Sequence, residues 1–121
     1  MPEPAPLRDE PPLPDDAIVV RGGEMKYGDL EVAAVSNYQW HGVYALTVWS
    51  EAGLTAQQIH DKYLARYSKA RFSTAGEIRG FGYGLQPTWD SGHYDIVLPN
   101  PPSVTDWDDL SSIFAWVQGG E

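Results

Sequence analysis

The chain predicts an α+β fold: one small domain on a mixed sheet of about five strands with three main helices, preceded by an extended proline-rich arm. Three observations lead there. Segments rich in β-branched and aromatic residues (17–20, 43–50, 94–98) are bounded by glycine, proline and Asp-Ser turn signals, as buried strands are. Between them apolar residues recur at the helical period, and the order reads β, α, β, α, β, short α, β, β, α rather than the strict alternation of a doubly wound sheet. A length of 121 residues with 42% hydrophobic content fits one core and not two.

Residues 1–16 hold six of the ten prolines and five acids against Arg8, a composition that favours a polyproline-like arm over a packed element. Leu7 and Leu13 are its sizeable anchors, to be docked on the body or on a second subunit if the arm is ordered. Residues 17–118 form the domain and 119–121 a tail. The run 17–20 ends in Arg21-Gly22-Gly23, a central strand leaving through a glycine turn. Leu30, Ala33, Ala34 and Tyr38 set a first helix over 29–38, with Asp29 capping or charging its first turn. The strand 43–50 is apolar on both faces, as an inner strand is.

The strongest local signal is Thr55 with Gln58 three residues on, a capping box, with Leu54 poised to staple onto Ile59. The helix it starts should bury Ile59, Tyr63 and Tyr67 and end among Lys62, Arg66 and Lys69, which complement the dipole. Residues 71–73 extend as a strand, and Ser73 or Thr74 caps a short helix through Glu77 to Arg79. Two extended arms, 83–89 and 94–98, flank Asp90-Ser91-Gly92 as a hairpin, and Pro87 demotes the first to a sheet edge. Thr105 caps a last helix with three aspartates in its first turn and Leu110, Ile113, Phe114 and Val117 on its buried side.

Composition bounds function. The net charge is −9, with −4 in residues 1–16 and −4 in 105–121, so the middle is close to neutral. Such a field repels nucleic acid except at the gathering of Lys62, Arg66, Lys69 and Arg71, and suits a protein partner or self-association better. The absence of cysteine excludes disulfides, zinc–thiolate sites and thiol nucleophiles. No run is long enough for a membrane span and the acidic start is unlike a secretory leader, so the expected setting is soluble and cytoplasmic, with no membrane association.

Several residues carry candidate chemistry. Arg21, Gly22 and Gly23 together can hold a phosphate or carboxylate, a guanidinium beside exposed backbone amides, although they form no P-loop or dinucleotide fingerprint. The competing reading is a turn whose arginine pairs with a carboxylate. Ser73, Thr74, His93 and Tyr94 are of the nucleophile, acid and base types, with helix capping and strand packing as their plain roles. Asp90, His93 and Asp95 are ligand types without a second nearby histidine, so no metal and no cofactor is expected.

The pattern VVRGG, YALTVWSEAGLT, RFSTAGEIRGFG and HYDIVLPNPP resembles a family of small actinobacterial proteins over roughly residues 18–115, a resemblance that implies no activity. The order arginine, then Ser-Thr on a later strand, is also similar to the ADP-ribosyltransferase arrangement at Arg21, Ser73 and Thr74; the expected late glutamate has no counterpart, because after Glu77 the next glutamate is Glu121. With no catalytic set assembled, the leading expectation is a protein-binding or regulatory protein, of the sort encoded by mobile elements or defence systems. The alternatives are a small enzyme or toxin acting on a nucleotide or RNA through Arg21, Thr74 and His93, and an assembly component using its arm.

Overall fold

The computed structural model describes residues 2–117. Six strands form one sheet: β1 (Ile18–Gly22), β2 (Ala45–Trp49), β3 (Ala70–Thr74), β4 (Gly84–Pro87), β5 (His93–Val97) and β6 (Ala115–Trp116), in the order β4-β5-β2-β1-β3-β6. Four helices connect them: α1 (Tyr27–His41), α2 (Ala56–Tyr63), α3 (Ala75–Gly80) and α4 (Val104–Ile113). The α+β class holds, with one correction: every neighbouring pair is antiparallel, so the sheet is not mixed. The reason is the position of β1. It lies between β2 and β3 and runs against both, so the two strands that α2 connects in parallel never touch.

Each local signal has a physical counterpart. The Thr55 hydroxyl accepts from the Gln58 amide at 3.2 Å while the Thr55 amide donates to Gln58 Oε1 at 2.9 Å. Leu54 and Ile59 share one apolar cluster, as a staple requires. The helix stops at Tyr63, however, so Arg66 and Lys69 lie beyond it and only His60 and Lys62 face its negative end. The first helix is longer than its apolar period, starting after Lys26 without a side-chain cap and closed by Gly42 at φ 77°. Thr74 caps α3 through the Glu77 amide at 3.2 Å. The last helix is capped by Ser103 with Asp106, not by Thr105, and the buried Trp107 joins Leu110 on its inner face. Pro87 does sit on the sheet edge.

The two faces of the sheet are covered unequally. One is packed along its length: Val19, Leu46, Val48 and Ile96 meet Leu30 and Ala34 of α1, Ile78 of α3 and Trp107 and Leu110 of α4. On the other, α2 and the chain after it bury Ile59 and Leu64 against Val20 and Ala70, which covers only the β1–β3 side. Over β2, β5 and β4 this second face presents Ala45 and Thr47, Asp95 and Val97, and Gln86, residues that the strand register places side by side with no helix above them.

The arm crosses this uncovered half. Its backbone bonds to the body through Glu3 to the Trp40 carbonyl (3.1 Å) and Arg8 to the Pro87 carbonyl (3.0 Å). Arg8 also aims its guanidinium at three carbonyl oxygens of the β4–β5 turn, Thr88 (2.6 Å), Asp90 (2.5 Å) and His93 (2.7 Å). Of the two leucine anchors, Leu13 is buried whereas Leu7 docks only by its backbone, beside Thr88, with its side chain 66% exposed. The tail 119–121 lies outside the described residues.

Candidate functional site

The uncovered half of the sheet forms the floor of a groove. Asn37 and His41 of α1 wall one side, the arm roofs one end, and Tyr63, Leu64, Arg66 and Tyr67 wall the other end. Thr47 and His93 lie on its floor. The aromatic wall is set by two glycines. A Cβ on Gly22 would stand 2.6 Å from the Tyr67 ring, and one on Gly92 would stand 2.6 Å from Tyr63, so the rings press directly onto bare backbone. Tyr63 also stacks on Trp49, ring centres 4.9 Å apart, and its hydroxyl donates to Glu51 at 2.5 Å.

Arg21 enters this groove through a break in the sheet. Strands β1 and β2 share only the pair Val20 and Trp49 before they separate, and across the gap the Arg21 guanidinium donates to the Thr47 carbonyl at 2.8 Å. A guanidinium carries several N–H donors in a fixed fork, and no carboxylate lies within 4.0 Å of this one among the described residues. Burial pulls its pKa down, opposed weakly by Tyr67 and Asp29. The expectation of an arginine paired to an acid therefore gives way to a partly buried cation with donors to spare.

The other sequence candidates disperse. Gly22 lies in the β1–β3 ladder and the Gly23 amide is taken by the Lys69 carbonyl at 2.8 Å, so the Gly23 amide does not supply the anion cradle beside Arg21. Ser73 and Thr74 sit at the far end of that ladder, opposite Val19 and Ile18, and both lean on Glu77. Tyr94 faces the packed side, donates to Glu10 at 2.7 Å, and is pushed up to about 12 by burial and then by that carboxylate. His93 alone of this group shares a cavity with Arg21, one of about 250 Å³ with Trp49, Tyr63 and Tyr67. Its Nδ1 is 3.0 Å from the Thr88 hydroxyl, and burial holds its pKa down against the pull of Asp95.

The basic gathering does not act as one surface. Lys62 pairs with Glu51 at 2.6 Å, and Arg71 is turned inward onto the carbonyls of Ser111 (2.9 Å) and Phe114 at the end of α4. Arg66 lines the groove and Lys69 stands over Trp116. In the sequence Asp95 stands out only as a metal-ligand type, and Arg8 and the two tyrosine walls carry no site motif. Asp95 is 5% exposed, and alternation along β5 shows its face but not that the face lies bare. Gly22 and Gly92 beside aromatic-rich segments were the signal for the walls.

No protein-family model matches the chain, and no curated protein and no solved structure matches it.

Proposed function

We propose that the protein is a non-catalytic binding protein of regulatory type, and that its open groove recognises an anionic group seated on Arg21. The observation that carries this reading is the Arg21 guanidinium itself, partly buried, held by one carbonyl and without a carboxylate partner among the described residues. Keeping a cation out of water without an opposite charge is costly, and such a group is commonly completed by a ligand. Arg66 at the rim adds a second cation, and Trp49 and Tyr67 add flat apolar walls that suit a planar ligand body. The −9 overall charge disfavours a polyanion at long range, so the preferred ligand is small. The arm is engaged with its own sheet, which speaks for the groove over assembly through the arm.

The shared cavity of Arg21 and His93 favours one second reading, a small enzyme or toxin acting on a nucleotide, with His93 as base. The two are separated by one series. Amide and indole NMR signals are followed while inorganic phosphate, citrate and adenosine monophosphate are titrated into the wild type, Arg21→Gln and His93→Gln. Binding predicts saturable shifts at Trp49 and Thr47 that vanish in Arg21→Gln and persist in His93→Gln, with no turnover of the nucleotide. Turnover that is lost in His93→Gln would replace binding by catalysis, and three unresponsive probes would overturn both.

A further inference from the structure

At the other end of the groove, beneath the arm, lies a cavity of about 120 Å³ with a chemistry opposite to that around Arg21. Its walls are largely apolar: Ala45 and Val97 on the floor, Val43 beside them, and Pro4 and Ala5 as the roof. Into it faces Asp95, 95% out of solvent by its 5% exposure, with no Lys, Arg or His nitrogen within 4.0 Å of its carboxylate among the described residues. The neighbouring titratable groups are His93 on the same strand and His41 at the end of α1, and the neutral side chains of Thr88, Gln86 and Asn37 share the cavity. Those groups favour the ionised carboxyl, and burial opposes it more strongly. The roof is held on both sides of the cavity: the Glu3 carbonyl meets His41 Nδ1 at 2.7 Å, and Arg8 is tied to the β4–β5 turn.

From this geometry we infer a second binding site, for the ammonium group of a small primary amine, which pairs with Asp95 and places its short alkyl body between Val97 and the arm. A buried carboxylate without a cation is unfavourable by several kcal/mol in general terms, and a cation in contact removes that penalty. One carboxylate in a lining whose exposed surface is mostly apolar, with Asn37, His41, Gln86 and Thr88 as the other polar side chains, suits a compact alkylammonium better than a hydrated metal ion, which needs several oxygen ligands; no cluster of three or more acids and histidines is present among the described residues. The volume admits a body of a few heavy atoms, comparable with several waters by the same measure. The site does not depend on the anion reading, since Arg21 is not among its lining residues.

The test uses the full chain and three probes at matched concentration: butylammonium, its uncharged isostere 1-butanol, and Nα-acetyl-lysine amide, which carries the same ammonium on a peptide. Butylammonium should give saturable amide shifts at Ala45, Gln86 and Val97, at least tenfold tighter than butanol. The lysine derivative should bind at least tenfold more weakly than butylammonium, because the roof excludes its backbone. Asp95→Asn should abolish the butylammonium shifts while phosphate still titrates the Arg21 end. Equal binding of butylammonium and butanol, or no saturable shift in the wild type, overturns the site without reference to any variant. Equal binding of the lysine derivative overturns the small-amine assignment in favour of a lysine-bearing partner.

Discussion

Arg8 closes three backbone oxygens with one side chain, which makes it the residue on which the arm depends. Charge-assisted bonds of this kind contribute about 1.5–3 kcal/mol, and its pairing with Glu10 adds little at so exposed a position. Arg8→Ala should therefore cost about 2 kcal/mol in denaturant unfolding and make residues 2–8 the first segment cut in limited proteolysis. Asp95 works in the opposite sense. Its carboxyl is raised by burial, so the stability linked to its neutral form is complete below the usual aspartate pKa and is lost as pH rises through the folded value. Asp95→Asn should thus be the more stable protein at neutral pH, with an advantage that shrinks as pH falls through the folded value and is gone below the usual aspartate pKa of about 3.9; thermal unfolding from neutral pH down to that point checks it. His93, whose pKa is held down by burial against the pull of Asp95, has the reverse dependence, with stability lost as pH falls below about 6.5, and that loss should be larger in Asp95→Asn, where the pull of Asp95 is gone. Arg21 and His93 were legible in the sequence as candidate groups, Arg21 because a cation leading into Gly-Gly after a strand is a local pattern. The surroundings of Asp95 come from α1, β4 and the arm, which no spacing within residues 93–97 encodes.

At the scale of elements, caps and glycines decide the outcome. The Thr55–Gln58 box was readable because both partners lie within four residues, and its loss should cost about 1 kcal/mol in Thr55→Ala. The start of α4 was misread by two residues. The cap is Ser103, which with Asp106 three residues on repeats the box pattern of Thr55 and Gln58, and not Thr105. Ser103→Ala should accordingly cost about 1 kcal/mol while Thr105→Ala stays within about 0.5 kcal/mol, as chemical denaturation of the two variants will show. Gly22→Ala should displace the Tyr67 ring and cost about 1–3 kcal/mol, and near-ultraviolet circular dichroism reads the moved aromatic wall. The strand β6 had no sequence signal at all: two residues carry no periodicity, and they pair with β3 only because α4 delivers them there.

For the molecule as a whole, the class followed from element order, and the parallel component failed because β1 lies between β2 and β3. Net charge does not locate a ligand, since the acidic total coexists with a groove whose one end is cationic. That contrast predicts a salt response: an anion drawn to Arg21 and Arg66 against the overall field should bind with an affinity that changes less with ionic strength than binding to a basic protein would. Titration of phosphate at rising sodium chloride measures it.

The backbone contact between Leu7 and Thr88 has a further bearing on how copies of this chain behave when crowded. It lays Pro6, Leu7 and Arg8 against the outer border of the sheet, where β4 already carries Pro87. Proline offers no donor, so that border is a poor template for another strand, and the opposite border ends in a strand of two residues. Removing the arm would uncover the β4 margin and invite fibrillar stacking long before the fold itself was lost.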